Sequence, residues 1–204
     1  YIYCAVQKGE IFRVDATIPS LDNISDNLPG APLEGEWLTP YQIDPTTPTT
    51  LYAGYEEIYK TTDRGDSWIQ ISNFGLGAKL NYLSVAETNS NYIYAAWLNA
   101  IVMTFNGGST WINITGPLPV GNQFISSIKV DPTDESALIV TFSGYNANEK
   151  VYLTLDAGAT WSNITLTGLP NLPVNCVETD KYSGDIYLGT DLGVYYLDTA
   201  LSDW

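Results

Sequence analysis

The chain has 204 residues, 45% of them apolar, which is long enough and apolar enough for one sizeable hydrophobic core. Its 23 acidic and 8 basic residues give a net charge of -15 that repels phosphate backbones, so we expect no nucleic-acid partner. No stretch approaches the roughly 18 apolar residues of a spanning helix, so we expect no membrane insertion in this segment. The chain contains no histidine, which excludes His-based triads and metal centres, and we expect neither a metal nor a cofactor.

Short runs in which apolar and polar residues alternate occur along the whole chain, the pattern of half-buried β-strands. Four such runs open a unit and end near an acidic residue, at 41–44, 83–86, 128–131 and 176–179. Seven residues after each run a second strand starts, at Leu51, Ile93, Leu138 and Ile186. Third strands follow short hairpins at 58–62, 101–105, 151–155 and 194–197. The spacing therefore predicts four-stranded antiparallel units.

A turn sequence recurs where the third strand of a unit passes into the fourth. Each copy has an Asp or Asn, a Gly two residues later and a Trp five residues later. The copies are Asp63, Gly65, Trp68; Asn106, Gly108, Trp111; and Asp156, Gly158, Trp161. Their first residues are 43 and 50 residues apart. A repeat of this length, made of four strands, is typical of the blades of a β-propeller, so we predict an all-β propeller.

The predicted units lie at about 1–37, 38–79, 80–123, 124–172 and 173–204, in a single propeller segment. Five blades are visible and the two end units are incomplete, because the first starts at its second strand and the last stops before its fourth. We expect a part of a larger propeller; the alternative is a five-bladed ring closed in an unusual way. Cys4 and Cys176 are predicted to be buried free thiols, and they would meet only if the ring closed at five.

The repeated turn is interpreted as structural. Its Asp can accept hydrogen bonds from backbone N–H groups of the turn, its Gly permits a positive φ, and its Trp supplies apolar area between neighbouring blades. A general acid or a calcium loop is the alternative. The chain contains no Asp-x-Asp-x-Asp-Gly ladder, and Asn106 replaces Asp in one copy, so the structural interpretation is favoured.

The three turns resemble the Asp-box, or BNR, repeat of sialidases, sortilin-type receptors, xyloglucanase-like glycosidases and bacterial surface proteins. The resemblance implies a propeller of four-stranded blades and leaves several activities open. Sialidases of this superfamily hold the substrate carboxylate with three arginines. This chain has only Arg13 and Arg64, one in a third strand and one in a repeated turn, so sialidase activity is disfavoured.

Xyloglucanase-like glycosidases carry a catalytic aspartate in a Thr-Asp-x-Gly-Gly-x-Tyr-Arg segment. The segment 190–196 is similar and makes Asp191 a weak catalytic candidate, although it lacks the second Gly and the Arg. In that family the partner carboxylate comes from a second propeller. A glycoside hydrolase acting on β-glucan is therefore the alternative to a non-catalytic module.

Strand direction places the second-to-third hairpins and the blade-to-blade links on one face of the propeller, opposite the repeated turns. These hairpins combine aromatic rings with amides and carboxylates, as sugar- and peptide-binding surfaces do. The candidate ligand-binding residues are Tyr55, Glu56, Trp97, Asn99, Tyr145, Asn146 and Asp191. The alternative is that Tyr55, Trp97 and Tyr145 pack on adjacent loops.

The sequence favours a binding module over an enzyme. Sortilin-type receptors bind peptides, and residues 171–176 and 193–196 are similar to segments of large bacterial surface scaffolds and adhesins. We therefore expect an extracellular or cell-surface protein whose partners are a carbohydrate, a protein ligand or other domains of a larger surface protein.

Overall fold

Eighteen β-strands and two short 3₁₀ helices, Gln7–Gly9 and Ile24–Asn27, make up the regular structure of the chain in the computed structural model, which describes residues 1–18, 20–197 and 203–204. The strands form five antiparallel sheets in chain order, which we call blades 1 to 5. Blade 1 consists of β1 (Ile2–Ala5), β2 (Ile11–Asp15) and β3 (Ser20–Asn23). Blade 2 consists of β4 (Tyr41–Ile43), β5 (Leu51–Gly54), β6 (Ile58–Thr61) and β7 (Ile69–Gln70).

The remaining blades repeat this order. Blade 3 consists of β8 (Tyr82–Val85), β9 (Ile93–Ala96), β10 (Ile101–Thr104) and β11 (Ile112–Asn113). Blade 4 consists of β12 (Phe124–Val130), β13 (Leu138–Ser143), β14 (Val151–Thr154) and β15 (Ser162–Asn163). Blade 5 consists of β16 (Val174–Thr179), β17 (Ile186–Thr190) and β18 (Gly193–Leu197). The chain is therefore all-β and is built as the blades of a β-propeller, as predicted.

The second strands of blades 2 to 5 begin at the predicted residues, and in blades 2 to 4 their apolar side chains are covered on both faces of the sheet. All four residues of β5 and of β9 are buried. The first strands of blades 4 and 5 are longer than the sequence indicated, since β12 and β16 each contain a register shift near their start. Such a bulge adds a residue to one strand and bends it.

The hydrophobic core is divided into layers between adjacent blades. The largest layer contains Tyr94, Ile101 and Met103 from blade 3 and Leu138 and Phe142 from blade 4. At each of four successive blade junctions an indole Nε1–H also donates to a main-chain carbonyl of the preceding blade. The pairs are Trp68 with Ile24 (3.0 Å), Trp111 with Ile71 (2.8 Å), Trp161 with Ile114 (2.9 Å) and Trp204 with Ile164 (2.9 Å). Each blade is therefore joined to the one before it by the same apolar and polar contact.

Backbone hydrogen bonds define two faces of the propeller. The turn face carries the repeated turns (63–68, 106–111 and 156–161) together with the first-to-second strand loops, as shown by Arg64 N–H donating to Thr49 O (2.9 Å) and Ala157 N–H to Ser136 O (2.9 Å). The link face carries the second-to-third hairpins and the blade-to-blade links, as shown by Leu80 N–H donating to Tyr55 O (2.7 Å) and Ile125 N–H to Leu98 O (2.8 Å).

The prediction that both cysteines are buried is wrong. Cys4 and Cys176 are free and exposed, because they lie on the uncovered outer faces of blades 1 and 5. The same exposure affects Tyr187, which is 39% exposed, whereas Tyr52 and Tyr94 at the equivalent position of blades 2 and 3 are fully buried under the next blade.

Candidate functional site

The predicted ligand-binding residues lie on four successive hairpins of the link face. These hairpins join β5 to β6, β9 to β10, β13 to β14 and β17 to β18. Each hairpin belongs to a different blade, so the residues are distributed around the face. Burial and hydrogen bonding decide which of their side chains can meet a ligand.

Tyr55 is not available for stacking on a ligand. Its side chain is 2% exposed, its hydroxyl donates to Gly9 O, and its ring lies edge-on to Tyr59 with centroids 5.9 Å apart. Burial of the phenol raises its pKa well above the usual value. A Cβ on Gly9 would lie 2.5 Å from the Tyr55 ring, so the ring fills the space that a glycine leaves in the blade 1 hairpin. Tyr55 therefore packs on an adjacent loop.

Trp97 is also removed from solvent. It is 5% exposed, its Nε1–H donates to Ala78 O (2.9 Å), and Phe74 packs edge-on to it at a centroid distance of 5.1 Å. Phe74 belongs to the link between blades 2 and 3, where its N–H donates to the carboxylate of Glu57 (2.7 Å). Trp97 thus holds a blade-to-blade link against its hairpin.

The other five predicted residues have exposed side chains. They are Glu56, Asn99, Tyr145, Asn146 and Asp191, with Tyr145 67% exposed. The Asp191 carboxylate accepts a hydrogen bond from Asn175 Nδ2 (2.8 Å). These residues keep an aromatic ring and several polar groups exposed on the link face, although two of the three predicted rings are buried.

A buried lysine stabilises the hairpin that carries Tyr145 and Asn146. Lys150 is 1% exposed and its Nζ donates to Gly144 O, and burial lowers the pKa of its ammonium group. Gln123 Nε2 donates to Glu149 O (2.9 Å) at the same hairpin. The exposed Tyr145 ring is therefore presented from a supported turn.

Sequence reasoning missed the most exposed tryptophan of this face. Trp37, in the link between blades 1 and 2, is 64% exposed beside Leu38, which is 81% exposed. Both line a cavity of about 450 Å³ together with Gln7 and Tyr41. Trp37 lies in a link and not in a second-to-third hairpin, which is why the hairpin criterion did not select it. An aromatic residue inside a Gly- and Pro-rich link was the available signal.

A second cavity, of about 330 Å³, adjoins the first and shares Val6 and Gln7 with it. Its lining includes Lys8 and Glu34, whose Nζ and Oε1 are 3.1 Å apart. Lys79 Nζ lies 3.4 Å from the same Glu34 oxygen, and hydrogen bonds from Lys8 and then Lys79 lower the pKa of this carboxyl group. The link face thus combines an exposed indole, an amide and fixed charges within one continuous region.

The first residue of each repeated turn is hydrogen-bonded within its own turn. Asp63 accepts from Ser67 N–H (2.9 Å), Ser67 Oγ (2.6 Å) and Thr61 Oγ1 (2.7 Å). These hydrogen bonds, that of Ser67 Oγ above all, lower the pKa of Asp63 to about 2. Asp156 has the same arrangement with Thr160 and Thr154, and its pKa is also lowered. At neutral pH both groups are ionised acceptors and cannot serve as proton donors.

In the copy with Asn106 the turn is closed by an amide. Asn106 Oδ1 accepts from Thr110 N–H (2.9 Å), and its Nδ2 donates to Thr110 Oγ1 (2.9 Å), which reverses the direction of the last bond. The turn geometry is kept without a carboxylate.

The described residues contain no group of three or more His, Cys, Asp or Glu placed to hold a metal ion, and no helix among them is long and apolar enough to cross a membrane.

Comparisons with known proteins relate the chain to propeller structures. No protein-family profile and no curated protein matches the sequence. The GH74 xyloglucanase of Xanthomonas campestris is similar at a TM-score of 0.79 and 16% identity over 99% of this chain and 35% of that one. The GH74 enzyme of Niastella koreensis is similar at a TM-score of 0.75 and 20% identity, over 99% and 34% of the two chains.

A third similar structure is the extracellular domain of the putative one component system BT4673 of B. thetaiotaomicron. Its TM-score is 0.65 at 16% identity, over 97% of this chain and 25% of that chain. The chain therefore spans about a third or less of the length of these structures. At such identities the similarity establishes the β-propeller fold.

Proposed function

We propose that the chain is a non-catalytic binding module of an extracellular or cell-surface protein, and that its link face binds a carbohydrate or a protein segment. The observation that carries the proposal is the exposed Trp37, which lines one of two adjoining cavities on this face. An aromatic side chain such as an indole buries about 150 to 250 Å² of its own surface when it is covered. Large apolar groups left in solvent beside polar rims commonly mark interaction sites.

The chemistry of this region suits both ligand classes. A ring such as that of Trp37 stacks on the apolar face of a sugar or on an apolar side chain, while Gln7, Glu34 and Lys8 can orient polar groups. The xyloglucanases of similar fold favour a carbohydrate, and the extracellular domain of similar fold supports the location. A second propeller or other domains of a larger surface protein are proposed as further partners.

The proposal is tested by screening the chain against a glycan panel that contains xyloglucan oligosaccharides and against a peptide panel, with release of reducing ends measured in parallel. We expect saturable binding in one panel and no release of reducing ends. Release above the buffer blank, or no saturable binding in either panel, would contradict the proposal.

A glycoside hydrolase acting on β-glucan is the second candidate, favoured by the segment 190–193 and by the fold shared with GH74 enzymes. Hydrolysis needs two carboxyl groups on either side of the scissile bond, about 5 to 9.5 Å apart. Asp191 is the candidate acid, and Asp134, an exposed aspartate in a turn-face loop, is the matched control. Under the binding proposal the parent chain, Asp191→Asn and Asp134→Asn all release no reducing ends from xyloglucan. Turnover that is lost in Asp191→Asn and retained in Asp134→Asn would establish the enzyme instead.

A further inference from the structure

An apolar cavity of about 350 Å³ lies at the seam between blades 3 and 4, on the turn-face side. One wall comes from blade 3 and includes Tyr92, Met103, Phe105 and Ile112. The opposite wall is the repeated turn 156–159 of blade 4. Phe105 and Ile112 are 48% and 45% exposed, so the mouth of the cavity is open to solvent.

The residues that line this cavity can be compared with those of the other blades, because the repeat places four equivalent wall positions in each blade. In blade 3, Met103 pairs with Ile112 on the neighbouring strand. The equivalent pairs are Lys60 with Ile69 in blade 2 and Leu153 with Ser162 in blade 4. The residues just before the second strand and just after the third complete the sets. Blade 2 has Thr50, Lys60, Thr62 and Ile69, and blade 4 has Ala137, Leu153, Leu155 and Ser162. Of these three blades, blade 3 alone has bulky apolar side chains at all four positions.

The opposite wall leaves the space open. A Cβ on Gly158 would lie 2.6 Å from Ile114 Cβ, so the turn already packs tightly on blade 3 at that point. The adjacent wall residues, Ala157 and Ala159, carry only methyl groups. The departure from the repeat therefore gives this space an apolar lining that the fold itself does not require.

We propose that this cavity binds an uncharged aromatic small molecule. The rings of Tyr92 and Phe105 suit edge or offset contacts with another ring, and the thioether of Met103 makes favourable contacts with aromatic edges. Asn113 lines the rim; its Oδ1 accepts from Thr115 N–H (2.9 Å), which leaves Nδ2 to donate to a ligand. The volume is near the lower end of the range of about 300 to 1,000 Å³ for ligand cavities and fits one or two fused rings.

Charge selects against anions at this site. Asp156 belongs to the wall and the chain carries a net charge of -15, so a carboxylate or sulfonate on the ligand would be repelled. The cavity lies on the opposite face from Trp37 and Tyr145. This site is therefore independent of the binding function proposed for the link face.

Met103 gives a direct test, because it is the only methionine of the chain. Protein made without an initiator methionine and labelled with ¹³C at the methionine methyl shows one methyl resonance. Titration with 2-naphthol should shift that resonance through the ring current, downfield where the methyl group lies at the ring edge, and the shift should saturate at one equivalent per chain. The anionic analogue 2-naphthoate should bind at least ten-fold more weakly.

The repeat also provides matched variants that the fold tolerates elsewhere. Phe105→Thr and Ile112→Ser introduce the residues found at the equivalent positions 62 and 162, and each should weaken 2-naphthol binding at least ten-fold. Ile69→Ser changes the equivalent position in blade 2, is 60% exposed in the parent chain, and should leave the dissociation constant unchanged. The proposal would be overturned if the methyl shift did not saturate. It would also be overturned if Ile112→Ser left 2-naphthol binding unchanged, or if Ile69→Ser weakened it as much as Ile112→Ser does.

Discussion

At the residue scale, the repeated turns show how two side chains of different charge stabilise one backbone shape. Asp63 uses its carboxylate oxygens as acceptors only, whereas Asn106 combines one acceptor with one donor. Thr61 and Thr104 complete the arrangement, each accepting a hydrogen bond from the Gly N–H of its turn (2.9 and 3.0 Å). The carboxylate is therefore one of two ways to close the turn, and only this one depends on pH.

We expect Asp63→Asn to reduce the acid sensitivity of the fold. The folded pKa of Asp63 is about 2, below the value of about 3.9 for an unfolded aspartate. The stabilisation by the ionised group is therefore complete above about pH 4 and is lost as the pH falls towards 2. In Asp63→Asn the amide can take the role that Asn106 has, so the free energy of unfolding should fall less between pH 5 and pH 2.5 than in the parent chain.

The reciprocal variant Asn106→Asp is the control and should increase the same fall. The free energy of unfolding of all three proteins is measured at pH 5 and pH 2.5 by urea unfolding, followed by tryptophan fluorescence. An equal fall in the three would show that the turn carboxylates do not contribute to acid unfolding.

At the element scale, the glycine of each repeated turn is required by the contact between blades as well as by its backbone angle. Gly158 has a φ of +87°, and a Cβ there would lie 2.6 Å from Ile114 Cβ. Gly65 and Gly108 have the same relation to Ile24 and Ile71, at 2.7 Å from Ile24 Cβ and 2.7 Å from the Ile71 carbonyl oxygen. The turn of one blade thus packs on the outer strand region of the blade before it.

Gly158→Ala should therefore destabilise the chain more than an alanine at an unhindered glycine of similar φ. Gly75 is the matched control, with a φ of +63° and no atom within 4 Å of a Cβ. The left-handed conformation alone costs about 1 to 2 kcal/mol, and overpacking adds about 1 to 3 kcal/mol. Urea denaturation should show that Gly158→Ala lowers the free energy of unfolding by about 1 to 3 kcal/mol more than Gly75→Ala does. Equal losses would mean that the seam relaxes around the added methyl group.

Sequence reasoning was most successful at this scale, for a physical reason. The starts at Leu51, Ile93, Leu138 and Ile186 were predicted because strand alternation and turn chemistry are local and were seen in several copies. The bulges in β12 and β16 were not predicted, since a single added residue leaves the apolar pattern readable on either side of it.

At the scale of the whole molecule, contacts between distant residues decide which side chains remain available to a ligand. Tyr55 is buried by Gly9, 46 residues earlier, and Trp97 by the carbonyl of Ala78. Neither contact has a local sequence signal, so the sequence could assign these residues to the link face but could not tell that their rings are covered. Trp37 was missed because it lies in the link between blades 1 and 2, whereas the candidate residues were selected from the second-to-third hairpins alone.

The measurement that most directly tests the binding proposal compares the two faces of the propeller. Each variant is titrated with the tightest ligand found in the glycan and peptide panels, by isothermal titration calorimetry. Trp37→Ala and Tyr145→Ala remove exposed rings from the link face, and Tyr182→Ala removes a ring that is 94% exposed on a turn-face loop. We predict that Trp37→Ala weakens binding at least ten-fold, that Tyr145→Ala weakens it to a smaller extent, and that Tyr182→Ala has no effect. Binding that is unchanged in Trp37→Ala and Tyr145→Ala but lost in Tyr182→Ala would place the site on the turn face and contradict the account.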